Sequence, residues 1–371
     1  MNKFDSIRPY KDHEVNEVLK NLCRNKELIK VLLASNKYPF IAKLPLSKKI
    51  ISLILINKVK NISSISEYQN IFEGIVSNVV DNSIDKFTVS GLENINKNKS
   101  YLFISNHRDI TLDSALLNLT LHRNNFKTTN NAVGNNLMNE KWASDLMRLN
   151  KSFIIDRSDK SKKDIYKSLH LASEFIFNCI SNENESIWIA QKQGRSKDGL
   201  DYTDPSVLKM IHLNSRKTSK VHEYFNELSV IPVSISYEKD PNDLLKAKEL
   251  YLTSLNNVYE KEPREDLQSI ADGISGQKGN VHLSIGSEIN FINNSYEDAA
   301  IEITNKIKFL YKIHATNEAA CIMQGIPMKQ SEFSDEDIDL AMEYLKERMH
   351  IIQDDMQPFF LNQYSNPVYR L

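Results

Sequence analysis

The sequence is poor in residues that cross-link or punctuate a chain: 371 residues hold 3 Cys, 10 Gly and 10 Pro. Cys23, Cys179 and Cys321 are far apart, odd in number and without C-x-x-C spacing. That argues against a disulfide framework and a thiolate zinc site, and favours a reducing, cytoplasmic setting. No charge of one sign dominates, since 47 Lys+Arg face 48 Asp+Glu. Without an overall basic field, binding nucleic acid through its phosphate backbone is not favoured. Long apolar runs are also missing; none approaches the roughly 20 residues that cross a bilayer. The start, Met1 to Val15, carries charges where a secretory signal needs an apolar stretch, so no such leader is expected.

What is present is a chain long enough for a large core and two or three layers or domains. Charge is unevenly spread: residues 1 to 60 carry 13 Lys/Arg against 5 Asp/Glu, and residues 329 to 371 carry 4 against 9. Residues 12 to 80 read as helices, with Val15, Val18, Leu19 and Leu22 at helical spacing and Pro39 and Pro45 as breaks. From Phe87 the pattern changes. Short apolar runs at 87–89, 101–104, 152–155, 186–190, 230–236 and 281–285 predict strands, and helical periodicity lies between them, notably over 136–149 and 160–181. Strands alternating with helices predict an α/β fold: a mixed, mostly parallel sheet flanked by helices. Ser334 before Asp335, Glu336 and Asp337 predicts a capped helix with a stripe of Ile338, Leu340, Ala341, Tyr344 and Leu345. The expected organisation is an N-terminal helical region (1–82), an α/β domain (83–315) and a C-terminal helical extension (316–371).

Four segments carry chemistry. Ser105-Asn106-His107-Arg108-Asp109-Ile110-Thr111-Leu112-Asp113 follows a strand and precedes a helical run. It places a histidine at a strand end with carboxylates two and six residues on, a general base with an acidic partner. On this segment alone, a structural histidine is the competing reading. Next, the strand at 152–155 delivers Asp156-Arg157, and the strand at 186–190 runs into Gln191-Lys192-Gln193-Gly194-Arg195-Ser196-Lys197. Arg157, Arg195 and Lys197 thus stand at strand ends, where open α/β sheets bind ligands, and suit a phosphate monoester; solvated loop charges are the alternative. Last comes Val230-Ile231-Pro232-Val233, where a proline marks a bulge or an edge in a strong strand.

In this order the four segments resemble the glycerolipid acyltransferase superfamily, the glycerol-3-phosphate and 1-acylglycerol-3-phosphate acyltransferases. That family has Asn-His with an Asp after four intervening residues, a Phe/Ile-rich strand ending in Asp-Arg or Arg-Arg, a Glu-Gly-x-Arg-Ser loop and an Ile-Pro-Val strand. The resemblance covers about residues 83 to 315. The first block, Phe4-Asp-Ser-Ile-Arg8-Pro9-Tyr10, is similar to the start of a longer bacterial branch with helical extensions at both ends. Two departures stand out. Five residues separate His107 from Asp113, which turns Asp113 by about a further 100° if the segment is helical; Asp109 is therefore a rival partner. The family Glu is Gln193 here, in a loop one residue shorter, and Gln cannot carry the charge.

The resemblance implies transfer of a fatty acyl chain from acyl-ACP or acyl-CoA to the hydroxyl of 1-acylglycerol 3-phosphate, giving phosphatidate. His107 is then the base, Asp113 or Asp109 orients it, and Arg157, Gln193, Gly194, Arg195 and Lys197 bind substrate. A glycerol-3-phosphate or other lyso-lipid (aminolipid) acyltransferase is the near alternative. A catalytically weak relative that binds lipid or a partner is the alternative of another class. No G-x-S-x-G elbow offers a covalent nucleophile, and no metal or cofactor is implied. A lysophospholipid acceptor implies a peripheral enzyme on the inner, cytoplasmic face of the membrane. The run from Lys48 to Lys60, apolar between lysines, would suit the headgroup boundary, though a bundle core is the better reading of the apolar run itself.

Overall fold

A computed structural model describes residues 2–34, 47–135, 140–157, 161–262, 265–327 and 331–369. Pro39 and Pro45, and positions 136–139 and 160 of two expected helices, lie outside the described residues. Helices α1 (Asp12–Arg24), α2 (Lys26–Ala34), α3 (Ser47–Val59) and α4 (Ile65–Ser83) precede the first strand. Then come β1 (Lys86–Ser90), β2 (Leu102–Ser105), α5 (Leu112–Arg123), β3 (Asn130–Gly134), α6 (Lys141–Leu149), β4 (Ser152–Ile155), α7 (Lys162–Phe177) and β5 (Ile187–Ala190). They are followed by α8 (Pro205–Ile211), α9 (Val221–Glu227), β6 (Val230–Tyr237), α10 (Asp243–Asn256), α11 (Glu265–Ser275), β7 (Asn280–Ile285) and α12 (Tyr296–Leu310). The remaining helices are α13 (Ala315–Met323), α14 (Asp335–Met349) and α15 (Gln357–Tyr369). The architecture is α/β, with every recorded strand pairing but one parallel.

The chain forms two compact units, Met1–Ile75 with Asn130–Phe175, and Val76–Thr129 with Ile176–Leu371. This differs from three consecutive segments at 1–82, 83–315 and 316–371. The reason lies in packing. In the first unit, Val15, Leu19 and Leu22 of α1 bury one helical face with Ile62, Tyr68 and, from α6, Leu149, Leu146 and Trp142. The central segment thereby joins the N-terminal helices. The block Phe4 to Tyr10 is tied to the same segment: Ile154 N–H donates to the Ile7 carbonyl (3.0 Å), Arg148 Nε to the Arg8 carbonyl (2.9 Å) and Tyr10 Oη to Asp145 (2.7 Å). In α3, Ile51 is buried while Leu53 is 67% exposed, and Val59 joins the unit's core.

Strand β3 has no counterpart among the expected strands because Asn130-Asn131-Ala132-Val133-Gly134 lacks an apolar run. It pairs parallel with β4, Asn131 opposite Ser152, and the buried Asn131 is satisfied through its N–H on the Lys151 carbonyl (2.8 Å).

The second unit holds five strands in the order β1-β7-β6-β2-β5. Only β6 and β7 run antiparallel. Strands β2 and β6 are buried along their whole length, as continuous apolar strands covered on both faces must be. Pro232 therefore lies inside the sheet, not at an edge. Its carbonyl accepts from Gly286 N–H (2.8 Å), and a residue's N and O point to the same side of a strand. The missing donor thus faces β7 just beyond that ladder, which begins at Val233 opposite Ile285, so pairing with β2 loses nothing.

The C-terminal helices belong to this unit. Ala315, Ala319 and Ala320 of α13, Ile338, Ala341 and Leu345 of α14, and Phe360 and Tyr364 of α15 share a core with Ala247 of α10. Ser334 caps α14, its Oγ accepting from Asp337 N–H (3.2 Å). Leu340 is exposed, since it stands about 200° from Ile338 around the helix. No helix among the described residues is long and apolar enough to cross a membrane.

Candidate active site

His107 follows β2 and Asp113 lies in the first turn of α5. Residues 108–111 between them are not helical, so the extra residue is absorbed by a turn and the 100° rotation does not arise. Asp113 Oδ2 lies 2.8 Å from His107 Nδ1, and the two side chains are 1% and 15% exposed. The same oxygen accepts the N–H of Arg108 (2.6 Å) and of Asp109 (3.0 Å), while Oδ1 accepts from Tyr237 Oη (2.8 Å). A carboxylate with this many donors is fixed in direction.

Asp109, the rival partner, turns elsewhere. Its Oδ1 accepts from the N–H groups of Thr111 and Leu112 (2.9 and 2.8 Å), which satisfies donors at the start of α5. Burial, with the charge of Asp113 added, holds the Asp109 carboxyl above the usual range.

Buried ion pairs grip the backbone on both sides of the histidine. The Arg108 guanidinium pairs with Asp201 (2.7 Å), which also accepts from Asn106 Nδ2 (3.0 Å). Burial opposes the Arg108 charge, but Asp201 outweighs it and its pKa is raised. Lys246 Nζ donates to the Arg108 carbonyl (2.8 Å) and pairs with Asp240. Burial lowers the Lys246 pKa and Asp240 only partly restores it. Trp188 of β5 sets its ring edge-on to the imidazole, centroids 5.8 Å apart.

The third motif is tethered to the first: Ser196 N–H donates to the His107 carbonyl (2.6 Å). Gly194 allows the turn with φ of 75°, and both it and Gln193 are exposed. Arg195 is half-buried; its Nη2 reaches Ser269 Oγ (3.4 Å), and its Nη1 is buried without a hydrogen-bond partner among the described residues. Lys197 forms an ion pair with Glu249. Arg157 follows β4 in the other unit, its N–H on Asn135 Oδ1 (3.4 Å).

Sequence reasoning did not single out Tyr237, Arg108, Asp201, Asp240 or Lys246. Tyr237 ends an apolar strand and reads as core. No local sequence pattern marks Lys246 or Asp201 as buried. Among the described residues no group of His, Cys, Asp and Glu could hold a metal ion.

Residues 86–235 match the family model described as Acyltransferase. No curated protein matches the chain. One similar solved structure is the 1-acyl-sn-glycerophosphate (LPA) acyltransferase PlsC from Thermotoga maritima, with 13% identity and a TM-score of 0.37, covering 81% of this chain and 99% of that one. The matched segment contains the His107–Asp113 pair, the Gly194–Ser196 loop and β6 as far as Ile235, and over these residues the chain is similar to that acyltransferase family.

Proposed function

We propose that the protein transfers a fatty acyl chain from an acyl thioester, on acyl carrier protein or coenzyme A, to the free hydroxyl of 1-acylglycerol 3-phosphate, forming phosphatidate. The observation that carries this reading is the 2.8 Å contact of His107 with a buried Asp113 inside the segment that matches the acyltransferase family. Asp113 Oδ2 also accepts two backbone N–H groups and so acts as an acceptor toward the ring: Nδ1 carries the hydrogen and Nε2 is the basic nitrogen. Nε2 takes the proton of the acceptor hydroxyl as its oxygen attacks the thioester carbon. The carbon–sulfur bond then breaks, the ester remains, and the imidazolium returns the proton to the departing thiolate. Asp113 stabilises the imidazolium in between.

Arg195 is the cation this reading assigns to the acceptor phosphate, because its guanidinium is half-buried and has a nitrogen left to donate. Acceptor and product are lipids, so the reading implies work at the inner, cytoplasmic face of the membrane. The test is thiol release by the purified protein with 1-acylglycerol 3-phosphate, glycerol 3-phosphate and a lyso-aminolipid, each with acyl-CoA and acyl-ACP. Turnover with 1-acylglycerol 3-phosphate that is lost in His107→Ala is the expected result. Turnover only with another acceptor reassigns the substrate. No turnover with any pair favours the lipid- or partner-binding relative, which Gln193 at the family's Glu position motivates.

A further inference from the structure

We propose that Tyr237 is a positioning residue of this site: its hydroxyl holds the Asp113 carboxylate so that Oδ2 faces His107, and it moderates the negative charge the imidazole meets. The inference rests on the acyl-transfer reading and adds a residue to it.

The geometry is that of one carboxylate held from both oxygens. Oδ2 serves His107 Nδ1 and two backbone N–H groups; Oδ1 takes the Tyr237 hydroxyl at 2.8 Å, in a buried setting. The Cβ–Cγ torsion of an aspartate is broad and nearly two-fold, so a donor on the second oxygen narrows it. Tyr237 is itself well fixed. It is the last residue of β6, opposite Val281 of β7, so its ring sits on the sheet and not on a loop. Burial and the charge of Asp113 keep its hydroxyl protonated, hence a donor, well above neutral pH. The charged groups around the pair are Asp109, Arg108 with Asp201, Asp240 with Lys246, and Lys278. All of them remain in Tyr237→Phe.

A carboxylate that loses one donor keeps more charge for the ring. The imidazolium is then favoured and the His107 titration midpoint rises. In Tyr237→Phe we expect kcat to fall about tenfold, the acceptor KM to stay within about twofold, and the acid limb of the pH–rate profile to move to higher pH. The His107 midpoint, followed by nitrogen NMR of the imidazole, moves the same way. Replacing Tyr237 alone by 3-fluorotyrosine, a stronger donor of nearly the same shape, moves that midpoint down; this arm serves if the Phe variant does not fold. In an Asp113→Asn background, Tyr237→Phe should cost little more activity. An unchanged His107 midpoint in the folded variants, or losses that simply add, would reduce Tyr237 to a packing residue and overturn the proposal. The NMR titration needs no turnover. Coupling without acyl transfer therefore refutes the acyl-transfer reading, and acyl transfer without coupling refutes this inference.

Discussion

Asp113 reaches His107 across a non-helical turn, its Oδ2 2.8 Å from Nδ1 although five residues separate them. Asp113→Asn keeps the shape but replaces an acceptor by an amide and removes the charge that stabilises the imidazolium. The expected outcome is a fall in kcat of about 10²- to 10⁴-fold with the acceptor KM little changed. Steady-state kinetics at saturating donor check it.

Arg195 and Lys197, two residues apart in the same loop, differ in what holds them. Lys197 is neutralised by Glu249, whereas Arg195 has a guanidinium nitrogen with no partner among the described residues. Arg195→Ala should raise the acceptor KM about tenfold or more, in line with loss of a charge-assisted bond. Lys197→Ala should leave it within about twofold. Equal effects of the two substitutions would remove Arg195 from the phosphate site.

Gly273 of α11 packs against Asp109. A Cβ there would lie 2.2 Å from Asp109 Oδ2, and that carboxylate is already fixed by the start of α5. Gly273→Ala should therefore destabilise the fold by about 2 kcal/mol. Its activity loss should exceed what stability explains, since a shift of Asp109 moves the turn that places Asp113. Urea unfolding and specific activity below the transition provide the two readouts.

His314 is buried, with Nε2 3.0 Å from Ser236 Oγ. Burial lowers its pKa to about 4, against about 6.5 in the unfolded chain. The unfolded state binds the proton first as pH falls, so stability is full above pH 6.5 and is lost between pH 6.5 and 4, by on the order of 3 kcal/mol. His314→Gln should flatten that part of the stability–pH curve. Denaturant midpoints at several pH values, compared with the parent, measure the difference.

Much of the fold is legible locally. Val15, Leu19 and Leu22 recur at helical spacing, and the runs ending at Ile104, Ile155, Ala190 and Ile285 are too apolar and short to be anything but buried strands. Strand β3 escapes because it has no apolar run and its Asn131 is satisfied by a partner rather than by apolar burial. The C-terminal helices are legible as helices, but their alanine-rich contacts with α10 depend on close approach of backbones that no periodicity encodes.

By itself, the sequence determined the alternation of strands and helices, the order of the four motifs and the placing of His107 at a strand end, because each depends on neighbours within a few residues. Tertiary structure alone decided which carboxylate meets the imidazole, that Lys197 pairs with Glu249, and that Tyr237, 124 residues from Asp113, closes the other side of its carboxylate. Those choices turn on distances of about 3 Å between side chains from separate elements, and hydrogen bonding is too short-ranged for linear spacing to report it.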